Sequence, residues 1–117
     1  MTTAASVIEE IAAERARQIS EEGWTPEHDN IHSDGQMARA AACYAYFASL
    51  NDEVRGVSMF SGSRECLSAM PVLRRLWQWG AEWWKPKERR RDLVRAAALI
   101  VAEIERLDRA TQRTEAA

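Results

Sequence analysis

The chain has 117 residues, of which 46% are hydrophobic and 29% charged, and a formal net charge of −2. That length suits one domain with a real core, and the composition excludes a disordered chain. The charge gives no bulk attraction to nucleic acid or an anionic membrane, and no apolar run approaches the ~20 residues that span a bilayer.

Glu9 and Glu10 stand where a signal peptide carries its apolar stretch, which predicts a cytoplasmic protein. Ser6 with Glu9 three residues on reads as a capping box that opens the first helix. Ile8, Ile11, Ala12 and Ile19 form a thin stripe along it, and Gly23 ends it. Residues 23–35 read as a polar connection, with Thr25 and Pro26 starting one short turn. Ser33 with Gln36 repeats the capping-box pattern before a second helix. Met37, Ala40, Ala41, Tyr44, Phe47 and Ala48 share one face of it, and its alanines permit close helix packing.

Residues 51–62, with two glycines and no clear period, read as a loop. Ser63 to Met70 is compatible with two helical turns, and Pro71 with a fresh start that Gly80 ends. Trp83-Trp84-Lys85-Pro86 is a second connection. The last helix, from about Glu88 to Arg109, places Leu93, Ala96, Ala97, Ile100, Val101, Ile104 and Leu107 on the face expected to meet the core. Surface pairs Glu103–Arg106 and Glu105–Arg109 fit its outer side, and residues 110–117 read as a frayed tail. No segment has strand periodicity. The expected fold is therefore an all-α single domain over 1–117: a small bundle of three main helices plus one or two short ones, with a Trp-rich connection. The thin stripe of the first helix suits a homo-oligomer that supplies further burial.

Cys43 and Cys66 have neither zinc-site nor disulfide-framework spacing and fit buried free thiols in a reducing compartment. Three constellations carry potential chemistry. Trp24, His28, Asp29, His32 and Asp34 cluster in the first connection. There the histidines can bind a metal, serve as acid or base, or simply be solvated beside turn-forming Asp and Asn. In the second connection, Trp77, Trp79, Trp83 and Trp84 precede Lys85, Lys87, Arg89, Arg90 and Arg91. Indoles stack on bases and guanidinium groups grip phosphate, and the basic run sits at a helix N-terminus that favours an anion. The same tryptophans can equally plug the bundle, with the arginines paired to Glu82, Glu88 and Asp92. The third constellation is carboxylate: Glu9, Glu10 and Glu14 on the first helix, Glu103, Glu105 and Asp108 on the last. Such sets hold Mg²⁺ when they converge and are otherwise solvated faces.

The segments ERARQISEEGWTPEHDNIHSDGQMARAAACYA (14–45) and WQWGAEWWKPKERRRDLVRAAALIVAEIERLDRA (77–110) resemble a widespread family of phage and prophage accessory proteins. Members of that family sometimes sit beside, or fused to, phage nucleotide-metabolism proteins. A looser likeness is to the all-helical MazG-type pyrophosphohydrolases, which use an EExxE set followed by ExxD. Here Glu9, Glu10 and Glu14 have EExxxE spacing, and Glu105 and Asp108 fall late in the last helix. The aromatic and basic constellations point to a phosphorylated, base-containing small-molecule partner, with no cofactor, and the phage resemblance suggests a nucleotide signal of host anti-phage defence that the protein sequesters. The residues expected to meet it are Trp24, His28, Asp29, His32, Trp79, Trp83, Trp84, Lys85, Arg89 and Arg90. The enzymatic alternative implies Mg²⁺ on Glu10, Glu14 and Asp108, or on His28, His32 and Asp34. A third reading makes the Trp-rich patch a docking point for a host protein.

Overall fold

The computed structural model describes residues 2–116. The described residues form seven α-helices and one 3₁₀ turn: α1 (Ala4–Glu22), α2 (Pro26–Asn30), α3 (Gln36–Ala48), α4 (Asp52–Phe60), α5 (Ser63–Ala69), α6 (Pro71–Leu76), the turn Ala81–Trp83, and α7 (Arg89–Ala116). No strand occurs among the described residues. The three long helices were expected. The short ones are more numerous than expected.

Helix α1 starts earlier than expected. Thr3 is its N-cap, and Ser6 completes the capping box from the third position, in place of Glu9. At α3 the Ser33 cap does not form: Gly35 holds the cap position, and the Gln36 side chain accepts from the Asp34 N–H at 2.7 Å. Residues 52–60 are helical, not loop, because Asn51 caps them by accepting the Val54 N–H at 2.8 Å. Arg55 then anchors that helix from below. Its buried guanidinium donates to the Phe47 carbonyl at 2.8 Å and to Asp92 at 2.9 Å, and stacks over the Phe47 ring. The period was unreadable there because α4 is anchored by an arginine where an apolar stripe would stand.

The core lies between α3 and α7, closed at one end by α5, α6 and the Trp-rich segment. Ala40, Ala41 and Ala48 on α3 and Ala96, Ala98 and Ala102 on α7 are all buried, so the two backbones approach closely. Tyr44, Phe47, Trp77 and Trp84 fill the wider end with ring centroids 4.8 to 5.9 Å apart, edge-to-face except for the tilted Tyr44–Trp84 pair.

Two expected faces differ. In α1 the buried residues are Glu14, Arg15 and Gln18, while Ile8 is 64% exposed. In α7 most of the face expected to meet the core points outward: Ala96 is buried as expected, but Leu93, Ile100, Val101, Ile104 and Leu107 are exposed, and Val94, Ala98, Leu99 and Ala102 are buried instead. The helix also runs on to Ala116, through the residues expected to fray; Ala117 lies outside the described residues.

Candidate functional site

Arg15 organises one end of the molecule. From inside α1 it donates to the Trp24 carbonyl at 3.0 Å, to the Asp29 carboxylate at 2.7 Å and to Glu105 of α7 at 2.9 Å. Glu105 is thus committed to Arg15, and the expected partner Arg109 instead reaches Asn30 and the Pro26 carbonyl. One guanidinium therefore ties α1, α2 and α7 together beneath the first connection. The chain enters that connection through Gly23, whose φ of 74° is open to glycine and strained for other residues. The Trp24 N–H turns back onto the Gln18 carbonyl at 3.0 Å. Thr25 caps α2 by accepting the His28 N–H at 3.2 Å, and Pro26 fixes the first helical position. This short helix sets His28 one turn before His32.

The result is an aromatic cavity of about 430 Å³ lined by Glu22, Trp24, His28, His32, Trp79, Gly80 and Trp83. The His28 and His32 rings lie 4.8 Å apart, His32 and Trp79 5.2 Å, and Trp24 and Trp79 6.1 Å. Burial, followed by the proximity of His28, lowers the His32 pKa from its ordinary value, so the ring is neutral at physiological pH. A neutral imidazole offers one donor and one acceptor. Glu22 supplies the carboxylate and also accepts from Arg17 at 3.1 Å. The Trp79 indole N–H is buried without a partner. Lys85 does not line the cavity, but its ammonium lies 5.4 Å from the ring centroid of Trp83, which does.

Five of the residues expected from sequence, Trp24, His28, His32, Trp79 and Trp83, therefore line one pocket although more than 40 positions separate the two segments. Asp29 is the buried support beneath it, and Lys85 lies beside Trp83. The others are elsewhere. Trp84 is 1% exposed and belongs to the core, its indole N–H on the Cys66 sulfur. Arg89 donates to the Ala48 carbonyl at 2.8 Å, closing the end of α3. Arg90 pairs with Glu10 at 2.6 Å and Arg91 with Glu14 at 2.7 Å. The cations at the start of α7 are thus offset by Glu10, Glu14 and the buried Asp92, which removes the argument that a bound anion is needed there.

No family model, curated protein or solved structure matches the chain. The site must be read from its own geometry.

The carboxylates of the Mg²⁺ alternative do not meet. Glu10 and Glu14 are held by different arginines, and among the described residues no group of three or more His, Cys, Asp or Glu side chains converges as for a metal. For His28, His32 and Asp34 the same holds. Sequence reasoning missed Glu22 and Arg15. Glu21 and Glu22 stand in the last turn of α1, where a negative charge opposes the helix dipole, and that local conflict is a readable signal. Arg15 gave none, since an arginine in a helix is ordinarily solvated.

Proposed function

We propose that this cavity binds a phosphorylated, base-containing small molecule, and that the protein is a phage-type accessory protein that sequesters such a nucleotide signal of host anti-phage defence. The observation that carries the reading is the meeting of Trp24, His28 and His32 with Trp79 and Trp83 around one cavity. Its volume lies within the ~300–1,000 Å³ typical of small-molecule sites, and indole faces are the surfaces on which bases stack. Glu22 brings to the lining a carboxylate acceptor, the kind of group that meets the amino and imino hydrogens of a guanine edge. Lys85 and His28 stand in for the arginines as the phosphate-facing groups, with Arg89 and Arg90 committed elsewhere. This reading places the protein in the cytoplasm of the bacterial host, as a homo-oligomer, binding without turnover.

Calorimetry with linear and cyclic guanine and adenine nucleotides tests it. The expected result is binding without added metal and without hydrolysis, tighter for guanine, and weakened ~5- to 100-fold by Trp24→Ala, the range that loss of one stacking partner predicts. No heat from any nucleotide at high micromolar concentration sinks the proposal.

Trp83 is 46% exposed, and that supports a second reading, a host-protein docking patch. Capture of a host protein by the wild type, lost on Trp83→Ala while nucleotides leave the complex intact, is its signature.

A further inference from the structure

The outward face of α7 has a pattern of its own. Leu93, Ala97, Ile100, Ile104 and Leu107 recur at spacings of four, three, four and three, the seam of a two-stranded helical coil. Four of them are about half exposed: Leu93 51%, Ile100 49%, Ile104 53% and Leu107 50%. Among the described residues their outer halves stay open, because α3 and α1 pack on the other sides of α7, where Asp92, Arg95, Leu99, Ala102 and Arg106 are buried. We propose that this stripe is the interface of an antiparallel homodimer, in which α7 of one chain packs along α7 of a second copy.

The occupant follows from spacing, charge and area. A heptad seam two repeats long fits another helix of the same spacing, and the face is its own complement when Ile100 sits on the twofold axis. Leu93 then meets Leu107 of the second copy, and Ala97 lies within a residue of Ile104, a small side chain against a large one. A parallel pairing sets Arg89 and Arg90 of the two chains side by side. The antiparallel pairing instead brings Asp108, an exposed carboxylate with no ion-pair partner among the described residues, within a turn of Arg89 of the second copy, whose guanidinium meets a carbonyl and no carboxylate. Asp108 bordering the stripe disfavours an anionic lipid surface as the alternative. With Val101, the stripe offers roughly 400 Å² of apolar surface per copy, about the largest patch a monomer ordinarily leaves open. It is half of the ~800 Å² that each partner contributes to a standard interface, the rest being the polar rim.

Sedimentation equilibrium of the wild-type chain is the direct test, with a dimer expected at about 10 µM, the affinity scale of a modest apolar interface. Ile100→Glu is expected to weaken association at least ~100-fold while helicity and thermal midpoint stay at the dissociated wild-type level, since the side chain makes no internal core. Orientation is read by cross-linking, because Cys43 and Cys66 are buried and do not compete. A mixture of Leu93→Cys and Leu107→Cys chains should form the mixed disulfide, and Leu93→Cys alone should not. A wild type that stays monomeric at about 100 µM overturns the proposal, as does an Ile100→Glu chain that still dimerises. A Leu93–Leu93 cross-link refutes the antiparallel arrangement.

Discussion

Glu14→Gln is the perturbation whose size follows most directly from the structure. The Glu14 side chain is 2% exposed and receives Arg17 Nε at 2.8 Å, Arg91 at 2.7 Å and Gln18 Nε2 at 3.3 Å. Burial alone would raise its pKa, but the two guanidinium groups outweigh it and hold the carboxyl at about 2, against an ordinary 4.5. At about 1.4 kcal/mol per pH unit, that displacement corresponds to about 3 kcal/mol of stability at neutral pH, less what Arg17 and Arg91 lose by reaching water. A glutamine keeps the shape and one acceptor but leaves two cations facing a neutral amide. The sign is set by linkage: the folded-state pKa lies below the unfolded one, so the contribution is complete above 4.5 and is lost as pH falls toward 2. Urea titrations of wild type and Glu14→Gln at a series of pH values should therefore give a large gap at neutral pH that closes on acidification. A gap that stays constant with pH, or widens as pH falls, refutes the assignment of Glu14 as an ionised structural bridge.

Trp84→Ala should cost about 3–5 kcal/mol by denaturant titration, because it empties the centre of the aromatic cluster and strands the Cys66 contact. Trp83→Ala should cost under about 1 kcal/mol, since that ring is half in solvent, so a loss of ligand binding there is not a loss of fold. The Cys43 thiol, pushed up to about 12 by burial, should react with an aromatic disulfide reagent orders of magnitude more slowly in the folded protein than in denaturant. Equal rates in both would mean that the α3 face is open to solvent.

The fold class was legible because α1, α3 and α7 each carry a long apolar or alanine-rich pattern uninterrupted by Pro. The site was half legible. Trp24, His28, His32, Trp79 and Trp83 stand out by residue type alone, and the structure supplies what type cannot, the crossing of α1 and α7 that brings 24–32 against 79–83. The basic run misled because a cation's partner is not written beside it. Arg89 ends on a carbonyl 41 residues away and Arg90 on a carboxylate 80 residues away, and both distances are invisible to local spacing. The loop assigned to 51–62 failed for the same reason, since Arg55 holds α4 through Asp92, 37 positions further on.

The stripe of α7 teaches a different lesson. Amphipathic periodicity reports that a face is to be buried and says nothing about which chain buries it. In α7 both faces are apolar, one built of Ala96, Leu99 and Ala102, the other of Leu93, Ile100, Ile104 and Leu107. The larger side chains made the second face the obvious core from sequence, yet the fold selects the first. Alanines let α3 come close enough to stack Tyr44 and Phe47 into the aromatic cluster, and bulkier residues at the same positions would hold the helices apart. A face of leucine and isoleucine set aside by its own fold is what a second helix of the same spacing fits. The exposed stripe is therefore coupled to the buried one: exchanging Ala96, Ala98 and Ala102 for larger residues should damage the monomer, and exchanging Ile100 and Ile104 should damage only its association.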